Sequence, residues 1–159
     1  MSANKNWARW SFASVSKHFD DNRQGLKLFI EGTHRDTRED EEYLEFRMDG
    51  PTLREVSKGC WKLRIEVNIL VTATLDEEDF HRIHRNVGIV QAAFVTGIPV
   101  FKYGDGVDDD DTLLGCYQIL QSRTTRDFIE LNHFGQIEKT IPLIQATVEG
   151  HYEMTLDLT

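Results

Sequence analysis

Cysteine, positive charge and long apolar runs are all scarce in this sequence, and each scarcity excludes a class of protein. The two cysteines, Cys60 and Cys116, form no C-x-x-C pair and are too few for a disulfide framework. We expect both to be small buried apolar residues inside strands rather than redox or catalytic thiols. The 18 lysines and arginines against 27 aspartates and glutamates give a net charge of -9, so a bulk basic surface for nucleic acid is absent.

Long apolar segments are missing too. No run approaches the roughly 18 apolar residues of a membrane span, and the N-terminus has no apolar signal segment. We therefore expect no membrane partner and synthesis in a reducing cytoplasm.

Enzyme and metal motifs are also lacking. There is no G-x-S-x-G, P-loop or dinucleotide fingerprint. The acidic residues 105–111 fail as an EF-hand, because Val107 stands at the third position when Asp105 is the first. We expect a solvated turn there, or a contact with a basic partner, with weak calcium binding as the alternative. His81 and His84 lack the Glu of H-E-x-x-H. We expect no enzyme, cofactor or metal, the rival being a metal-assisted hydrolase built on the acidic loop.

What the sequence does contain is a long alternating stretch, Cys60–Thr74, read CWKLRIEVNILVTAT. Apolar residues occupy every second position from Trp61 to Ala73. A period of two predicts an extended strand with one buried and one mostly wet face. At about 3.3 Å per residue it spans roughly 45–50 Å, long enough that we expect part of it to run on into a partner.

A second alternating run, residues 144–156, has a complementary length, and we expect the two to pair. Apolar residues at helical spacing predict two helices, residues 6–19 and 76–94. Acidic residues 76–79 stand at the start of the second helix, where the macrodipole favours them.

Shorter patterns predict the remaining elements. Asp49-Gly50-Pro51 indicates a turn, Gly115 a bulge or close approach, and residues 132–140 a loop. Strands are predicted at residues 26–31, 43–48, 98–103, 112–122 and 125–131, with residues 52–57 either strand or helical turn. Residues 1–159 are thus predicted to form a single α+β domain: a mixed, mostly antiparallel sheet with an N-terminal helix and one long amphipathic helix packed on it.

Three segments are candidates for contact with other subunits. Trp7 and Trp10 either pack as core against the sheet or dock on a neighbour. Residues 32–42 have no apolar side chain and predict a solvated or disordered loop, or a segment that becomes ordered on a partner. Residues 105–111 form a second acidic loop of the same kind. The candidate assembly residues are Trp7, Trp10, Arg35, Arg38, Asp108, Asp109, Asp110 and Asp111.

Several stretches have a recognisable residue pattern: YLEFRMDGP, the long strand leading to DEEDFHRIHR, FKYGDG followed by LLGCYQ, and NHFGQI before the last long strand. With the order of elements, these stretches make the chain resemble structural proteins of the head–tail junction of long-tailed bacteriophages, most closely the tail terminators. The resemblance covers most of the chain and is one of size, element order and texture.

This resemblance implies a small α+β protein of the virion that forms a hexameric ring on the tail tube. Such a ring stops tube polymerisation and presents a surface to the head-side connector or stopper, while DNA passes through the lumen without specific binding. The family offers no catalytic residues. Another neck, tail-completion or tail-tube protein is the rival of the same class. A cytoplasmic module that captures a peptide at an exposed strand edge is the rival of another class.

Overall fold

The computed structural model describes residues 6–31, 42–74, 81–102, 111–120, 129–138 and 141–157. The fold is α+β, with two helices and a mixed sheet. The elements in chain order are α1 (Trp7–Asp21), β1 (Lys27–Ile30), β2 (Tyr43–Ser57), β3 (Cys60–Thr74), α2 (His81–Val95), β4 (Ile98–Phe101), β5 (Leu113–Ile119), β6 (Ile129–Glu138) and β7 (Ile141–Asp157).

The two long strands, β3 and β7, form the centre of the sheet. They pair antiparallel from Cys60 opposite Asp157 to Thr74 opposite Leu143, which confirms the predicted pairing. The alternating apolar residues of both strands share one side, and those from Leu63 to Ala73 are at most 2% exposed. We call this side the inner face and the opposite side, which carries the polar residues, the outer face. Alternation therefore set which face is buried.

The other strands extend this centre in both directions. The order is β1-β2-β3-β7-β5-β4, and β6 also pairs with β7. β7 is bordered by β3 along one edge, and its other edge is shared between β6, up to Gly150, and β5, at Tyr152 and Glu153. β1 is parallel to β2, whereas the remaining pairs are antiparallel. The mixed, mostly antiparallel sheet is thus as predicted.

Both helices pack on the inner face and close one hydrophobic core. The Phe94 ring of α2 lies 6.0 Å from the Tyr152 ring, and the Tyr152 hydroxyl donates a 2.8 Å hydrogen bond to the Phe94 carbonyl. From α1, the Phe19 ring lies 5.0 Å from the Phe94 ring and 5.8 Å from that of Phe46. Aromatic side chains of both helices therefore meet over the centre of the sheet.

α2 runs from His81 to Val95 and has 15 residues, as does α1. The predicted start near Asp76 lies outside the described residues, so the expectation of one distinctly long helix is not confirmed. Buried Ile83, Val87, Val90 and Phe94 recur at spacings of three and four, as predicted.

The predicted turn at residues 49–51 is wrong. β2 continues through it as one strand from Tyr43 to Ser57, with a register shift between Asp49 and Thr52. Gly50 makes this possible, since its φ of +103° lies outside the region open to other residues. A Cβ there would also lie 2.6 Å from the Arg64 carbonyl oxygen. A bulge, rather than a chain reversal, absorbs the extra residues.

The predicted loop at residues 132–140 is also wrong in large part. β6 covers Ile129–Glu138 and pairs with β7, with shifts in register that begin at Asn132 and Gln136. Pairing with a long neighbouring strand overrides the weak local preference of this polar, glycine-containing stretch. Cys60 and Cys116 lie in strands as expected, but they are half-buried rather than buried.

Candidate functional site

The outer face of the central strands brings together the charged groups from which a site can be built. Its side chains come from the alternate positions that the core does not use. Because β2, β3 and β7 are adjacent, rows of three residues cross the face: Asp49, Glu66 and His151 form one row, and Arg54, Lys62 and Thr155 form another. The register therefore decides which charges become neighbours.

The first feature is an acidic groove, which we define by its lining: Glu31, Arg47, Asp49, Glu66, Asn68, Leu70, Thr147 and Glu149. Its volume is about 490 Å³. Four carboxylates face it together with one guanidinium, that of Arg47. The Arg47 guanidinium lies 3.6 Å from the Glu31 carboxylate and 3.8 Å from the Glu45 carboxylate, so it is already shared. The groove carries negative charge in excess.

Two of the groove carboxylates, Glu66 and Glu149, converge with His151, which lies beside the groove. Their ligand atoms all lie within 4.8 Å of one another, and His151 Nε2 is 3.9 Å from Glu149 Oε1. The pKa of Glu66 lies below its usual value, chiefly because of its hydrogen bond with Glu149, while the amide of Asn68 adds a further hydrogen bond. Two carboxylates and an imidazole are donors that suit a divalent cation, so among the described residues this cluster could hold a metal.

The second feature is a basic zone, which we define as Arg54, Lys62 and Arg64. It lies on the same face at its hairpin end, where the chain turns from β2 into β3. Arg64 Nε donates a 2.8 Å hydrogen bond to Glu153, and Lys62 Nζ lies 3.2 Å from the same carboxylate. These contacts hold the pKa of Glu153 below its usual value, the Arg64 hydrogen bond being the largest cause. Arg54 is exposed and lies opposite Lys62 on the neighbouring strand, so it adds a third cation to this pair.

A cleft of about 490 Å³ lies elsewhere, between α1 and β4, and its wall is mainly apolar. It is lined by Ser14, Lys17, His18, Asp21, Asn22, Pro99, Phe101 and Asp111. His18 Nε2 is 2.9 Å from the Ala93 carbonyl oxygen, and the Ser14 hydroxyl accepts a hydrogen bond from the Phe101 amide. These two polar groups are used in joining α1 to its neighbours.

The candidate assembly residues named from the sequence do not meet at one place. Trp7 and Trp10 are 4% and 0% exposed and lie in the core, with ring centroids 5.4 Å apart, so neither indole presents an appreciable surface to a neighbour. Asp111 borders the apolar cleft, and its amide donates to the Lys102 carbonyl at 2.9 Å. The others lie outside the described residues: Arg35, Arg38, Asp108, Asp109 and Asp110.

Sequence reasoning missed both charged features of the outer face. The available signal was the alternation itself, which puts Glu149 and His151 on the polar side of β7 and Lys62, Arg64 and Glu66 on the polar side of β3. Without the register, those residues form no cluster.

Comparison with known proteins assigns no relative: no protein-family model and no curated protein matches this chain. Among the described helices, neither has the length and apolar content needed to cross a membrane.

Proposed function

We propose that this protein is a structural component of the bacteriophage head–tail junction, a tail terminator whose copies form a hexameric ring. The ring caps the tail tube and meets the head-side connector, and its role needs no catalytic residue or cofactor. The resemblance in size, element order and residue pattern to tail terminators supports this proposal. A surface of the fold that is suited to contact with other subunits supports it as well. Another neck or tail-tube protein remains the nearest alternative.

The observation that carries the proposal is the uncovered edge of the C-terminal part of β2. β1 pairs with β2 only between Tyr43 and Phe46, so in the described part of the chain the outer edge of β2 beyond Phe46 borders no strand. From Thr52 to Ser57 every residue of β2 is exposed, including Leu53 at 36% and Val56 at 45%. We call this segment, residues 52–57, the open edge.

An open edge that carries apolar side chains is a surface that natural proteins normally cover or pair. In a ring, each copy has a neighbour on either side, so a neighbouring copy covers the open edge of each subunit and no further protein is needed. The net charge of -9 per chain also suits a lumen that lets DNA pass, because the ring repeats each negative charge and repels the phosphates.

Mass measurement in solution tests the proposal. We expect a hexamer, or a protomer that becomes a hexamer when purified tail tubes are added. Leu53→Lys combined with Val56→Lys should shift the population toward protomers while the circular dichroism spectrum stays unchanged, because both side chains are exposed. A chain that stays monomeric at high concentration and binds neither tube nor connector would refute the proposal.

The open edge also favours one candidate of a different class, a module that adds a peptide strand to β2. The two functions differ in their partner. A module would be monomeric and would bind extended peptides with slowed amide exchange along residues 52–57, whereas a terminator would protect the same amides only upon self-assembly.

A further inference from the structure

We propose that neighbouring copies of this chain contact one another head to tail, with the basic zone of one copy seated on the acidic groove of the next. This inference rests on the proposed ring and adds the surface that sets its geometry. The partner is a second copy of the chain, and the recognition chemistry is the pairing of guanidinium and ammonium groups with carboxylates.

The first support is charge complementarity between two separate places on one molecule. Along the outer face of β3, Lys62 lies roughly 13 Å and Arg64 roughly 7 Å from Glu66 at the usual strand rise. The basic zone lies on the hairpin side of Glu66, with the Glu153 carboxylate shared between Lys62 and Arg64. In the acidic groove, four carboxylates face one guanidinium. Positive charge thus lies at the hairpin end of the face and negative charge at its middle.

The second support is that like regions repel. If two copies met groove to groove, they would place carboxylates opposite carboxylates, and zone to zone would oppose cations. A contact between the zone of one copy and the groove of another replaces both repulsions with attraction. When this contact forms once between two copies, the first copy keeps a free groove and the second keeps a free zone, so further copies can add at both ends and the assembly can close into a ring.

The third support is continuity with the open edge. Arg54 lies within residues 52–57, between Leu53 and the turn that leads to β3. Leu53 and Val56 flank it and are exposed. Leu53 lies opposite Leu63 on the inner face and Arg54 opposite Lys62 on the outer face, so a neighbour that pairs along the whole edge contacts both: the apolar contact supplies the burial while the charges select the partner surface.

Charge reversal tests the inference. Arg54→Glu and Asp49→Lys each change one exposed side chain, one in the basic zone and one in the acidic groove. We expect each variant alone to raise the protomer concentration needed for half-assembly by about tenfold or more. The variant that carries both changes should assemble again, as should an equimolar mixture of the two single variants, because each mixed contact then pairs opposite charges.

The control is Arg85→Glu, which makes the same charge change at an exposed position on α2, on the other side of the molecule from the outer face. It should leave assembly unchanged. Raising the salt concentration should weaken assembly of the wild-type chain, because the Debye length falls from about 8 Å at physiological ionic strength to about 3 Å at 1 M salt and the attraction between exposed charges is screened more strongly. Circular dichroism of each variant verifies that the fold is retained, and the mixture provides a readout even if one variant is less stable.

The possible failures are separable. If the wild-type chain forms a ring that the single variants form equally well, the head-to-tail inference is wrong and the proposed function stands. If the doubly changed variant and the mixture fail to recover assembly, the inference alone is wrong. If the chain assembles only as a two-fold dimer, with or without tail tubes, both the inference and the proposed ring are wrong. A wild-type chain that never assembles, either alone or with purified tail tubes, overturns both the inference and the proposed ring.

Discussion

Replacement of Gly150 by alanine should destabilise the protein, although the same replacement at Gly88 should stabilise it. A Cβ on Gly150 would lie 2.6 Å from Phe94 Cδ1 and 2.8 Å from Cε1, closer than carbon atoms approach. Phe94 has no room to retreat, because it is 0% exposed and its ring packs against Tyr152 and Phe19. Overpacking of this kind costs about 1–3 kcal/mol.

The sign of this effect is what makes the test sharp. A glycine inside a strand normally costs about 0.5–1 kcal/mol relative to alanine, so without the clash Gly150→Ala would be favourable. Gly88 lies on the exposed side of α2, and a Cβ added there would have no neighbouring atom within 4 Å, so Gly88→Ala should stabilise by about 0.8–1.0 kcal/mol.

Thermal and urea denaturation followed by circular dichroism measure both variants. For a chain of this length, a loss of about 1–3 kcal/mol lowers Tm by roughly 2–12 °C. The double variant Gly150→Ala with Phe94→Leu should lose less stability than the sum of the two single variants, because the shorter side chain relieves the clash. If Gly150→Ala proved as stable as the wild type, or more stable, the packing of α2 on β7 described above would be wrong.

Three further predictions concern burial and titration. Val67→Asp should cost more than about 4 kcal/mol of folding stability or prevent folding, because it buries an unpaired charge. As the control, Leu113→Asp changes a side chain that is 58% exposed and should alter the urea midpoint little. A folded Val67→Asp protein would show that the faces of β3 are reversed. The pKa of Glu153 is lowered in the folded state, so its ion pairs stabilise the fold at pH values above the unfolded pKa of 4.5. This stabilisation is lost as pH falls through the folded pKa, and Glu153→Gln should therefore flatten the acid side of a plot of stability against pH. Burial raises the pKa of Tyr117 to about 12 despite its 2.9 Å hydrogen bond with Ser11, so folding stability should be retained up to pH 10 and lost as pH rises toward 12. In Tyr117→Phe this loss at alkaline pH should shrink. An unchanged loss would contradict the attribution of the alkaline pH dependence to Tyr117.

The placement of the interface candidates shows where reasoning from sequence has a limit. Trp7 and Trp10 fit a helix at the level of local pattern, yet the pattern alone left both core and docking open. Their burial depends on contacts with residues far along the chain, and those contacts exist only once α1 lies against the sheet.

The sequence by itself determined the two long strands, the side of each that is buried, and the apolar stripe of α2. These are consequences of periodicity, which is a local property of the chain: alternate side chains point to opposite sides of a strand, and every third or fourth residue shares a side of a helix. The bounds of β3 follow from this pattern, as does the burial of Val67.

Only the tertiary structure decided the register and the continuity of the strands. Glu66 faces His151, and Arg54 faces Lys62, because hydrogen bonds between strands and the packing of the inner face fix one alignment. β2 passes through Gly50 and β6 forms in a polar stretch because a neighbouring strand accepts their backbone groups. The acidic groove and the basic zone are therefore products of pairing between distant segments, and no local pattern contains that information.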